Sequence, residues 1–247
     1  MLRSLVGSEM CIRDRSSVAI SATLGLLALI ILLTPILCRF VGRSTGWFLG
    51  LGYLGAAALF MPAATAAVTE GTAFPTAEET VWSLAWMPSF DVNLAFAVDG
   101  VGAIFTLIAL VIGAFVLFYS TRYLSRGPNY SFYLLMATFT FAMVGLVLTD
   151  NLFVLFVCWE ITSIASFMLI ARSGRAAEGA SLRTMFMTFM GGVLLLVAVS
   201  AMYGVVGSAS IREVLGSSVW QEKPGFTVAM ALLVACLLYT SPSPRDS

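Results

Sequence analysis

Six runs of mostly apolar residues, each eighteen or more residues long, dominate this sequence and leave it few ways to fold. They occupy residues 18–38, 46–68, 101–124, 132–149, 151–171 and 184–206, and a seventh starts near Phe226. About 20 such residues in an α-helix cross a hydrocarbon core of about 30 Å. Apolar residues make up 60% of the 247, and the mean hydropathy is +0.97. Soluble domains hold roughly 45–50% apolar residues. The expected fold class is therefore an all-α polytopic membrane protein with about six complete transmembrane helices and a truncated seventh. The first run is too long for the apolar region of a signal peptide, and its basic residues follow rather than precede it, so it reads as a spanning helix.

The two ends of the chain are of a different kind. LVGSEMCIRD (residues 5–14) shows no helical or strand period, and CLLYTSPSPRD (residues 236–246) turns abruptly from apolar to Ser/Pro-rich. One short DNA element read on opposite strands can encode both. If CTCGTGGGCTCGGAGATGTGTATAAGAGAC specifies the first, its reverse complement, preceded by T, specifies CLLYTSPSPR. An inverted repeat of this kind resembles the end of a transposase-based sequencing adaptor. Residues 1–15 and 236–247 are thus expected to be non-native scars, set aside from fold reasoning, around an internal piece of a longer gene. The expected organisation is a first pair of transmembrane helices with the start of an outer loop at 16–80, then segments at 81–131 and 132–235.

Charge and cysteines exclude several functions. Lys plus Arg and Asp plus Glu both number 13. Without the scars the balance falls to about one net negative charge, which argues against nucleic-acid binding. Two of the four cysteines, Cys11 and Cys236, lie in the scars, and Cys38 and Cys158 sit in apolar runs without partner spacing, so neither a disulfide framework nor a CxxC metal site is indicated. There is no His, hence no His-based metal site or triad, and no nucleophile elbow or phosphate-cradling Gly loop.

Basic residues set the expected orientation. Arg39 and Arg43 follow the first run, Arg122 and Arg126 the third, and Arg172, Arg175 and Arg183 lie beyond the fifth. The second loop carries Glu70, Glu78, Glu79, Asp91 and Asp99 without a cation, and the sixth balances Arg212 and Lys223 with Glu213 and Glu222. The first, third and fifth loops should face the cytoplasm and the native N-terminus the outside. In the second loop, Trp82 and Trp86 suit an interfacial belt. Residues 90–98 alternate apolar and small or polar positions, the period of a half-buried strand. A short outer β-hairpin is expected there, as a packing cap.

The chemistry concentrates in DNLFVLFVCWEITSIASFMLIA (residues 150–171), an apolar helix with one carboxylate, Glu160. It lies about nine residues in, roughly 14 Å deep and close to mid-membrane. An ionised carboxylate there costs at least about 2.5 kcal/mol. It needs a neutral state, a polar partner or a water-filled path, and all three suit proton transfer. Ser163, at i+3, is positioned to offer it a hydroxyl. Arg183, at the start of the sixth run, reads equally as a snorkelling anchor or as part of a proton entry. Asp150 reads as a helix-starting carboxylate favoured by the helix dipole. Gly191, Gly192 and the methionines between Met185 and Met202 read as close packing rather than a metal cluster.

FAVDGVGAIFTLIALVIGAFVLFYSTRYLS (96–125), DNLFVLFVCWEITSIASFMLI (150–170), GASLRTMFMTFMGG (179–192) and SIREVL (210–215) resemble the antiporter-like family. That family includes the A-type subunit of Mrp Na⁺/H⁺ antiporters and the proton-pumping membrane subunits of complex I, and the wording is most similar to the Mrp A-type subunit. The resemblance covers nearly all of 81–235, with 81–131 similar to a complex I chain 5 N-terminal segment and 132–235 to a truncated proton-conducting transporter domain. It implies a partial antiporter-like bundle from an architecture of about fourteen helices, with inverted repeats and broken helices near the midplane. It implies that Glu160 is the fifth-helix glutamate that pairs with a seventh-helix lysine. That lysine is absent here, and Lys223 lies outside the membrane.

The function so implied is that of a secondary-transporter subunit, not an enzyme: H⁺ entry coupled to efflux of Na⁺ or another monovalent cation. The resemblance implies no prosthetic group, partner subunits of a hetero-oligomeric complex in a bacterial cytoplasmic membrane, and Glu160 as the proton-translocating carboxylate. Ser163, Arg183 and Asp150 would support it. Two alternatives stay open: a proton-pumping subunit of a complex I-like oxidoreductase or membrane hydrogenase, and a non-transporting scaffold.

Overall fold

The computed structural model describes residues 2–69, 82–87, 92–124, 129–172, 174, 178–217 and 224–240. The chain is an all-α polytopic membrane protein with one small pair of strands. Its elements are α1 (Leu2–Phe40), a 3₁₀ turn (Gly42–Ser44), α2 (Thr45–Thr69), β1 (Trp82–Met87), β2 (Val92–Phe96), α3 (Gly100–Tyr123) and α4 (Tyr130–Leu148). These are followed by α5 (Leu152–Ala171), α6 (Glu178–Val206), the short α7 (Ile211–Gly216) and α8 (Pro224–Thr240). Among the described residues, six helices are long and apolar enough to cross a membrane: Ser17–Phe40, Thr45–Val68, Gly100–Tyr123, Tyr130–Leu148, Leu152–Ala171 and Gly179–Val206. The sixth begins earlier than residue 184, because ASLR (residues 180–183) continues the helix with no Gly or Pro. α1 likewise runs back to Leu2 through a segment that shows no apolar period. That segment contains no Pro and a single Gly, and extending a formed helix adds one hydrogen bond per residue at little cost.

The chain divides into two compact units, one of residues 1–84 and 95–149, the other of 85–94 and 150–247. In the first, α1 packs on α2 and α4, and α3 packs on α2 and α4. The α2–α3 contact rests on small residues. A Cβ on Gly46 would lie 2.5 Å from the Leu117 carbonyl oxygen, and one on Gly50 would overlap the Phe118 ring. The GxxxG spacing thus lets two backbones approach as membrane interfaces favour. Tyr53 is fully buried and its ring fills the space beside Gly113, where a Cβ would sit 3.0 Å from it. Pro35 and Pro62 lie inside α1 and α2. Thr34 Oγ1 donates to the Ile30 carbonyl at 2.7 Å and Thr65 Oγ1 to that of Pro62 at 3.1 Å, which keeps these hydroxyls satisfied in an apolar surround.

β1 and β2 form a two-stranded sheet. At the end of β2, Phe96 bridges Thr149, and the Ala97 N–H donates to the Leu148 carbonyl at 2.8 Å. Phe96 and Val98 are buried, in keeping with the alternation. Asp99 caps α3 by accepting from the Gly102 N–H at 2.6 Å. The side chains of Trp82 and Trp86 lie outside the described residues, as do Glu70, Glu78, Glu79, Phe90, Asp91, Arg126, Arg175, Glu222, Lys223, the Arg43 side chain and residues 241–247.

In the second unit, α6 packs on α5 and α8. Leu152, Leu195, Val199, Met202, Val214 and Ala229 form its apolar core. α6 ends at Gly207, whose φ of 81° is the left-handed conformation glycine adopts most easily.

Candidate functional site

The site is built on the antiparallel pair α5 and α6. Three cross-links hold the pair in register. At one end, Ser181 Oγ, buried, donates to the Phe167 carbonyl at 3.3 Å. Toward the other end, the rings of Phe153 and Tyr203 meet edge to face with centroids 5.5 Å apart. Past both helix ends, Asn151 bridges Ser210, the Leu152 N–H donates to the Ala209 carbonyl at 2.9 Å and the Ile211 N–H to that of Asp150 at 2.9 Å.

Glu160 sits between these cross-links, about 12 Å along α5 at 1.5 Å per residue. Its carboxyl group lies against the bare Cα of Gly192 on α6. A Cβ there would overlap Oε1 and lie 2.8 Å from Cδ and 3.2 Å from Oε2. Among the described residues, the buried Glu160 Oε1 has no hydrogen-bond partner, and neither has the buried Trp159 Nε1. Ser163 does not supply the expected hydroxyl. Its Oγ donates to the Trp159 carbonyl at 3.1 Å, because a helical serine reaches the carbonyl four residues back more readily than a side chain on its own helix. Thr162 and Ser166 also turn inward, to the carbonyls of Trp159 and Thr162 at 2.7 and 2.8 Å.

Asp150 corrects a second expectation. The cap of α5 is Asn151, whose side-chain oxygen accepts from the N–H groups of Phe153 at 2.9 Å and Val154 at 3.3 Å. Asp150 instead faces α7. It accepts from Ser210 Oγ at 3.0 Å and from the Arg212 N–H at 3.3 Å, and pairs with Arg212 Nε at 3.4 Å. Both side chains are more than nine-tenths buried. Burial holds the Asp150 carboxyl above the usual carboxylate range, against the opposing pull of Arg212 and Ser210. Serine and asparagine are as good caps as aspartate, so a carboxylate next to Asn was free to serve the neighbouring helix. Ser210 caps α7 by accepting from the Glu213 N–H at 3.4 Å. The S-x-x-E spacing of SIRE was the sequence signal for that helix start.

Arg183 is exposed. It lies nine residues from Gly192, about 14 Å along the α6 axis, so it does not pair with Glu160. The sequence candidates therefore do not form one cluster: among the described residues, Glu160 stands apart from the other candidates between the helices, and Asp150 belongs to a latch about 15 Å away along α5. The residues that sequence reasoning missed are Arg212, Ser181 and, as the surface that Glu160 touches, Gly192.

Two family models match this chain. One, described as NADH:quinone oxidoreductase/Mrp antiporter, TM, covers residues 149–243, and the other, NADH-Ubiquinone oxidoreductase (complex I), chain 5 N-terminus, covers 84–134. In the solved structure of the Mrp complex from Dietzia sp. DQ12-45-1b, one chain is 36% identical and superposes with a TM-score of 0.76 over 90% of this chain. This chain is a partial match to the A-type subunit of Mrp antiporters. A "Putative antiporter subunit mnhA2" of Staphylococcus haemolyticus is 38% identical over 143 residues, 56% of this chain, and that of Staphylococcus aureus strain MRSA252 is 40% identical over 141 residues, 55% of this chain. The chain spans 18% of the length of both relatives and 23% of the Dietzia chain. An archaeal membrane-bound sulfane sulfur reductase shares the fold, with a TM-score of 0.73 at 21% identity over 90% of this chain and 44% of its own. Complex I from Thermus thermophilus does so with a TM-score of 0.60 at 23% identity over 87% and 43%.

Proposed function

We propose that this chain is a segment of the A-type membrane subunit of a multisubunit cation/proton antiporter, with Glu160 as its proton-carrying carboxylate. The observation that carries this reading is the Glu160 carboxyl itself: midway along a spanning helix, held between α5 and α6, with Oε1 buried and unpartnered among the described residues. Ionisable groups at that depth are rare and functional by default. A carboxyl without a fixed hydrogen-bond partner is free to hand its proton to water or to a neighbouring group. The related subunits belong to assemblies, so partner subunits are part of the reading. H⁺ would enter as Na⁺ or another monovalent cation leaves, across a bacterial cytoplasmic membrane with the native N-terminus outside. α8 carries no lysine, so the cation that the family pairs with this glutamate would come from outside this segment.

The test is Glu160→Gln in the full-length protein, assembled with its partners in everted membrane vesicles. Cation-driven collapse of a pH gradient should be lost while the complex still assembles. Wild-type exchange in that variant overturns the reading, and exchange intact with assembly lost favours a scaffold. A complex I-like role is favoured by the shared family description. It predicts instead that the gradient responds to a reductant and quinone rather than to the cation.

A further inference from the structure

We infer that Gly192 is a positioning residue for the Glu160 carboxyl: its missing side chain is the slot in α6 that keeps this group inside the α5–α6 interface. The inference rests on the reading of Glu160 as a proton carrier and adds a residue to it. The carboxyl occupies the volume that a Cβ at position 192 would take. Nothing on α5 fixes it there, since Ser163, Thr162 and Ser166 all turn to main-chain carbonyls of their own helix. What defines its place is therefore shape. The helices cannot separate freely to admit a methyl group, because Ser181 on one side and the Asp150–Arg212 latch on the other tie them together. Adding a methyl at 192 would turn the carboxyl out of the interface, and misplacing a reacting group by about 1 Å can cost on the order of a hundredfold in rate. Gly204, on the same helix, has nothing within 4 Å of its Cβ position and serves as the control.

The experiment has two readouts. In this chain, held in lipid nanodiscs, the infrared carboxyl band of Glu160 is assigned by its loss in Glu160→Gln. Gly192→Ala should shift that band and Gly204→Ala should not. In the assembled antiporter, Gly192→Ala should slow exchange by on the order of tenfold to a hundredfold. Glu160→Asp, shorter by one methylene, should also slow it. The Glu160→Asp/Gly192→Ala double variant should be no slower than Glu160→Asp alone, because the two changes compensate in length. A band that stays in place in Gly192→Ala, or losses that add in the double variant, overturns the inference. So does failure of both Gly192→Ala and the double variant to accumulate, since shortening the side chain would have relieved the overlap. If the band moves but Glu160→Gln exchanges normally, the slot stands and the proton-carrier reading falls.

Discussion

Glu160 and Asp150 show how differently two carboxylates fewer than a dozen residues apart can be held. Asp150 is satisfied by a hydroxyl, an N–H and a guanidinium, whereas Glu160 Oε1 has no partner among the described residues. Removing one partner of a buried pair leaves a stranded charge and costs about 3–5 kcal/mol. Arg212→Leu should destabilise the second unit by that order in detergent unfolding titrations. Asp150→Asn should cost less, because the amide oxygen still accepts from Ser210 and the Arg212 N–H. Asp150 also sets a pH dependence. Its carboxyl titrates above its unfolded value of about 3.9, so in that window the native state binds more protons than the unfolded chain. Stability is fully present below the unfolded value and falls as pH rises through the folded one. The Asp150→Asn variant should show a flat profile there, and a slope unchanged from wild type would place the titration elsewhere. Ser163→Ala should leave exchange near wild type, since its hydroxyl serves Trp159 and not Glu160.

The elements were legible in outline because apolar length alone decides whether a segment spans a bilayer. The seven runs read from the sequence are the long helices of the structure, and the alternation before Asp99 became β2. Pairing between elements was not legible. Gly46 and Gly50 lie four residues apart in a glycine-rich stretch where Gly42 and Gly46 offer the same spacing, and only packing shows that Gly46 and Gly50 face α3. The two positions should respond unequally to alanine. At Gly46 the obstacle is the Leu117 main-chain carbonyl, while at Gly50 it is the Phe118 ring, which can rotate away from Trp47. Gly46→Ala should therefore lower the melting temperature more than Gly50→Ala, and the reverse order would show that α2 and α3 do not pack through this face. Asn151→Ala should cost about 1 kcal/mol through loss of the α5 cap.

For the whole molecule, the alternation of basic loops makes a topology prediction. With native cysteines replaced, Arg39→Cys and Arg172→Cys should react with a membrane-impermeant maleimide only from the cytoplasmic face, and Ser208→Cys only from the outside. Labelling in the opposite sense would invert the proposed orientation and with it the side from which Glu160 is reached. The helix that carries Glu160 is also the least covered of the six, with 17% of its apolar window buried against 33–39% for the others.

The sequence by itself determined the class of molecule, the number of spans and the one carboxylate at mid-membrane depth. These follow from hydropathy and helix rise, which are local properties of consecutive residues. The tertiary structure decided what each polar side chain does. It gave the α5 cap to Asn151 and gave Asp150 to Arg212. It turned Ser163 to its own backbone and set Glu160 against Gly192. The pairings of Asp150 and Glu160 join residues 62 and 32 positions apart. A hydroxyl or carboxylate with several partners in reach takes the one that packing brings within hydrogen-bond distance, which no local pattern records.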